Sequence, residues 1–209
     1  MTLRLKGSNT GDVSIAAPAT AGNNTLTLPT SNGSAGQYLK NSSTAGALEF
    51  GTLPTVGFTS SATTNTTSGS AHTVSTLSTS AVLHVVSFSG VSTTGNSTPQ
   101  LQFQIGNGSL STSGYQWGVF YPSGHQNASA QSTVRLVHTN FYGAANEYSG
   151  VVYICCSSGD SVTGTWTLAT LGASPMSGAF RWTGGTSIDR FSLQSAGTFD
   201  SGSFKIHSR

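Results

Sequence analysis

The chain has 209 residues, of which only 7% are charged: eight Lys or Arg and six Asp or Glu, for a formal charge of +2, against roughly 25% charged residues in ordinary globular domains. The basic residues are scattered, which argues against the clustered cationic face that nucleic acid requires, and no stretch approaches the ~20 apolar residues of a membrane-spanning helix. Ser and Thr make up about a third of the chain and Gly contributes 26 residues, which favours strands and turns over helices.

In chain order, residues 1–53 read as a module of short strands and tight turns. Leu3–Lys6, Val13–Ile15 and Thr25–Leu28 alternate apolar and polar residues. Asn32-Gly33 is a turn pair. Gln37–Leu39 and Ala47–Phe50 follow as further strands, joined by the polar Asn41–Gly46. The module has too few apolar residues for a core of its own, so copies or a partner surface are expected to complete it.

Residues 54–209 read as one larger unit. Ser60–Ser70, almost wholly Ser, Thr, Gly and Asn, reads as a loop or linker. Val82–Phe88 is nearly all apolar, with β-branched residues, and predicts a buried central strand. Leu101, Phe103 and Ile105 alternate with glutamines, as a strand with one buried face requires. Gly106–Gly114 reads as a loop. Tyr115, Trp117, Val119 and Tyr121 then share one face, with Phe120 on the other. Pro122–Ser132 and Phe141–Tyr148 read as polar loops. Val151–Cys156, then Val162, Trp166 and Leu168, and then Ala179, Phe180 and Trp182 supply further strands. Gly185–Arg209 reads as a closing β-hairpin, with turn residues at Asp200-Ser201-Gly202. No 3.6-residue periodicity is long enough for a helix. The predicted class is all-β: a short-stranded N-terminal module followed by an antiparallel β-sandwich of jelly-roll type.

Three stretches carry a resemblance. The first is LRLKGSNTGDVSIAAPATAGNNTLTLPTSNGSAGQYLKNSSTAGALEFG, residues 3–51. The second is STLSTSAVLHVVSFSGVSTTGNSTPQLQFQIGNGSLSTSGYQW, residues 75–117. The third is GTSIDRFSLQSAGTFDSGSFKIHSR, residues 185–209. Together, and in this order, they resemble phage tail-fibre and virion appendage proteins, the first stretch especially those of marine phages. His207 stands where that pattern commonly has an aromatic, and Cys155-Cys156 lies outside it. The resemblance implies a virion protein, made in the host cytoplasm and usually homotrimeric. Residues 1–53 would attach to the particle or to neighbouring tail or capsid proteins. Residues 54–209 would form a jelly-roll knob that adheres to a host surface glycan or protein. A purely structural role, as a capsid decoration or head fibre, remains the alternative.

Candidate chemistry is sparse. His72, His84, His125, His138 and His207 lie far apart, and there is no CxxC, GxSxG, GxGxxG or P-loop, so no enzymatic activity, cofactor or metal is expected. His84, in an apolar strand, reads as a hydrogen-bonded core residue or one on a trimer axis. Asp200 reads as a turn cap, and Asp189, Arg190 and Lys205 as surface pairs of little worth. The adjacent cysteines should face opposite ways, and a bond between them would be strained. The N-terminus lacks the apolar core of a signal peptide. Binding concentrates on loops over a rigid scaffold. The receptor-binding candidates are therefore His125, Gln126 and Asn127 in one predicted loop, and Tyr142, Asn146 and Glu147 in another.

Overall fold

The computed structural model describes residues 2–6, 12–16, 25–53, 57–95, 101–138, 143, 146–156, 159–171 and 174–209, the first two segments by backbone alone. Among these residues every element is a strand, and every ladder between strands is antiparallel. The protein is all-β. It divides into two compact units, Met1–Thr55 and Val56–Arg209.

The first unit holds two hairpins. Strands β1 (Thr2–Lys6) and β2 (Asp12–Ala16) pair with each other, as do β3 (Gln37–Asn41) and β4 (Leu48–Thr52). The alternation over Thr25–Leu28 yields only one bridge, between Thr27 and Ala47. Leu26, Leu28, Tyr38, Leu39 and Leu53 are exposed, and no large apolar side chain of residues 25–53 is buried. Lys40 and Glu49 face each other across the β3–β4 ladder and pair at 2.8 Å. Exposed as both are, they hold register more than they stabilise.

In the second unit, short edge strands precede long central ones: β5 (Thr59–Ser60), β6 (Thr64–Asn65), β7 (Ala71–Ser75), β8 (Leu83–Thr94), β9 (Gln102–Asn107), β10 (Ser109–Leu110), β11 (Tyr115–Tyr121), β12 (Gly124–Gln131), β13 (Val134–Arg135), β14 (Glu147–Cys156), β15 (Val162–Leu171), β16 (Met176–Trp182), β17 (Arg190–Gln194) and β18 (Thr198–Ser208). The larger sheet runs β12-β11-β16-β15-β14-β8-β18-β5, with β6 also on β18. The smaller runs β10-β9-β17-β7, with β13 also on β9. In chain order β7 lies in the small sheet, β8 in the large, β9 and β13 in the small, β14 in the large, β17 in the small and β18 in the large.

Side chains from both sheets meet in one core. Phe103 of β9 meets Phe180 of β16 edge-on at 5.1 Å, and Phe191 of β17 meets Phe204 of β18 at 5.7 Å. The buried Tyr115 hydroxyl ties β11 to β9: it accepts from Ile105 N at 2.9 Å and donates to Ile105 O at 2.8 Å. Trp166 Nε1 donates to Leu136 O at 3.2 Å. These bonds satisfy polar atoms that would be costly to bury unpaired.

Several predicted elements are corrected. Residues 185–209 are not a hairpin: β17 pairs with β7 and β9, whereas β18 pairs with β8, β5 and β6. Ser195–Gly197 is thus a crossover between sheets. Hydrophobic alternation marks two adjacent strands without naming their partners. Asp200-Ser201-Gly202 lies inside β18, where the register with β8 shifts. Gly202 has φ +90°, and a Cβ there would overlap Gly90 O, so the bulge requires glycine. Asp200 accepts a hydrogen bond from Ser92 Oγ rather than capping a turn. Ser60–Ser70 supplies β5 end and β6 on the edge of β18, and Gly106–Gly114 contains β10. Val82–Phe88 is buried on one face only: Val86 and Phe88 are inside, while Val82 is exposed and Leu83 and Val85 are half-exposed. His84 is a core residue, its Nδ1 2.7 Å from Ser208 Oγ. Both cysteines are free, with Cys155 exposed and Cys156 buried. Burial raises the Cys156 thiol pKa.

Candidate functional site

The outer face of the large sheet, over β12, β11 and β16, gathers the most chemistry. On β11, Tyr115, Trp117 and Val119 turn inward, as their spacing predicts, which sends Gln116, Gly118 and Phe120 outward. On β16, Met176, Gly178, Phe180 and Trp182 turn inward and Ser177, Ala179 and Arg181 outward. A Cβ on Gly178 would overlap Trp166 Cζ2 and Gly118 O. Glycine there lets the Trp166 ring seat beneath β16.

Register aligns the outward residues in rows. Gln116 is opposite Arg181, Gly118 opposite Ala179, and Phe120 opposite Ser177. On the other side, Gly118 is opposite Asn127 and Phe120 opposite His125. The middle row is nearly bare of side chain, so a trough of about 680 Å³ opens over Gly118 and Ala179. Gln116, Arg181, Asn127 and Ser129 wall it. A second trough of about 560 Å³ lies beyond Phe120, bordered by Ser149, Thr167, Ala169 and Ser177. Phe120, 57% exposed, stands between the two. The His125 ring lies 6.1 Å from it, tilted by 32°. An aromatic face flanked by amides and hydroxyls is the chemistry that receives a sugar ring.

The predicted binding residues distribute unevenly. Pro122–Ser132 is not a loop. Pro122-Ser123 makes a tight turn, and β12 follows as the edge strand of the sheet. Its sequence is polar because it is largely exposed, so no alternation marks it. His125 and Asn127 face outward on β12 and belong to the site. Gln126 alternates to the other side with Ala128, which packs against the core, and its Oε1 is buried without a hydrogen bond among the described residues. Tyr142 lies outside the described residues. Asn146 is buried, its backbone N donating to Gly143 O at 3.0 Å. Glu147 is exposed at the start of β14. Four strand spacings separate β14 from β12 in the sheet order, about 19 Å, so Glu147 does not join His125 and Asn127.

Sequence reasoning missed Gln116, Gly118, Ala179, Ser177 and Arg181. The one signal present was Phe120, an aromatic out of phase with the inward face of its own strand. No group of three or more His, Cys, Asp or Glu that could hold a metal occurs among the described residues. His138, away from this face, packs its ring 3.9 Å from Tyr121. Burial and then Arg135 lower its pKa. Compared with family models, with curated proteins and with solved structures, the chain matches none.

Proposed function

We propose that the chain is a subunit of a phage virion appendage, a tail-fibre protein. Its first unit attaches to the particle or to neighbouring virion proteins. Its second unit adheres to a host surface glycan through the troughs on either side of Phe120. The observation that carries this reading is that face: an exposed aromatic between an open trough walled by amides and a hydroxyl and a second, more apolar one bordered by hydroxyls, on a rigid sheet. Two further features support it. The wiring of β5-β18-β8-β14 against β7-β17-β9-β13 agrees with a jelly-roll knob, since the chain changes sheet at most connections of that frame. The exposed leucines of the first unit suit a module completed by other copies, in a homotrimer. Shallow sites of this kind bind weakly one by one, and three per fibre would supply avidity.

Two measurements on the full chain test the proposal. Labelled protein is applied to an array of bacterial surface saccharides, beside the Gly118→Trp variant. The nearest atom to a Cβ on Gly118 is 3.9 Å away, so the indole fills the trough without disturbing the core. The variant is expected to lose at least tenfold in retention with an unchanged urea midpoint; equal retention would remove the site. Light scattering is expected to give the mass of a trimer. A monomer would instead favour a decoration subunit that is completed only on the particle.

A further inference from the structure

We infer that the glycan is acidic, and that the first trough receives a sugar carboxylate on Arg181; this rests on the adhesion reading above. Arg181 faces outward at the end of the trough, directly opposite Gln116 in the register. No carboxylate pairs with it among the described residues. Among the described acidic groups of this unit, Asp189 is bound to Arg190 at 2.7 Å, Asp200 holds Ser92, and Glu147 sits beside Gly90. Asp160 is exposed just before β15, whose Thr163 lies opposite Arg181, and makes no ion pair with it. The side-chain amides of Gln116 and Asn127 likewise make no hydrogen bond among the described residues, so they are free to engage a ligand. The trough is therefore a neutral, small-floored cradle with one unpaired guanidinium at its rim.

In a chain with so few charges, that cation is the strongest single recognition element on the face. A guanidinium offers a planar fork that matches a carboxylate by two parallel bonds. Along the strand, Arg181 and Ser177 are four residues apart, about 13 Å. A carboxylate at Arg181 thus places the following sugar over Gly118 and Ala179, with the next ring against Phe120. A uronic-acid polymer has this layout, with a charge, a flat ring and hydroxyls repeated at short intervals.

The test is affinity electrophoresis of the full chain in gels containing polygalacturonate, alginate, dextran sulfate or neutral dextran. Retention by the two uronates is expected, weakening as salt rises. Arg181→Gln should reduce it about tenfold, and Arg181→Lys should recover only part, because an ammonium lacks the fork. Lys205→Gln, which removes the same charge from the far half of the sheet, should leave retention unchanged. Equal losses in Arg181→Gln and Lys205→Gln would reduce the effect to net charge and overturn the assignment. Retention by neutral dextran that ignores Arg181 would overturn it while leaving adhesion through the Phe120 face standing. Preference for dextran sulfate would replace the carboxylate by a sulfate ester. Failure of every polymer here, together with every saccharide of the array, would end both readings.

Discussion

Replacing Phe103 by Ala is expected to lower the unfolding free energy by about 4 kcal/mol. Phe103 is fully buried at the meeting of the two sheets. It stacks on Phe191 at 5.3 Å within its own sheet and meets Phe180 of the other edge-on at 5.1 Å. Truncation removes a ring's worth of transfer free energy and leaves a cavity that two rigid sheets cannot collapse. Phe120→Ala is the companion measurement. The same atoms are deleted, but from a ring more than half exposed on the outer face, so the change should stay within about 0.5 kcal/mol. Urea unfolding of the two variants checks this. A comparable loss in both would mean that the outer face, like the inner one, is covered by protein. The two variants should exchange roles in the adhesion assay, where Phe120→Ala loses retention and Phe103→Ala, below its unfolding midpoint, does not.

The second large effect is acid destabilisation through His84. The imidazole is fully buried in β8, beside Ser208 of β18 and opposite Ile154 of β14. Burial disfavours its charged form and holds its pKa down to about 4, from the ordinary 6.5. The unfolded chain therefore takes up a proton below pH 6.5 that the folded chain refuses. Stability from this group is complete above pH 6.5, declines as pH falls, and levels off near pH 4. Between pH 7.5 and 4.5 the loss amounts to about 2.5 kcal/mol. His138, lowered for the same first reason, adds in the same direction. Unfolding free energies from urea titrations at the two pH values should differ less in His84→Gln than in the wild type by that amount. The comparison of pH differences cancels whatever the substitution costs at neutral pH. An identical pH difference in both proteins would show that His84 titrates normally.

Much of the architecture was written in local sequence. Few charges, abundant Ser, Thr and Gly, and period-two alternation point to an all-β chain. They also distinguish a first stretch with too little apolar surface for a core. The inward face of β11 follows from Tyr115, Trp117 and Val119 alone, because alternate residues must face alternate sides. The candidate site was less legible. His125 and Asn127 were singled out as loop residues, and the structure places them on the outward face of β12. β12 carries almost no apolar residue, and an exposed edge strand cannot be told from a loop by pattern.

Partnership between strands is where tertiary structure alone decides. Residues 185–209 contain two good strands and a turn between them, and in isolation that is a hairpin. In the folded chain Phe191 joins Ile105 and Val74 in one sheet, and Phe204 joins Phe88 in the other, because burying both rings in a common core outweighs the local pairing. The trough has the same origin. Gly118 and Ala179 are far apart in sequence, each unremarkable, and become a floor only when register sets them side by side. Arg181 and Gln116 become its wall by the same pairing. Sequence determined that the chain would form strands, and which face of most of them would be apolar, since both follow from the two-residue repeat of the backbone. Which strands lie together, and so what chemistry the outer face presents, was decided by long-range burial, which no local repeat encodes.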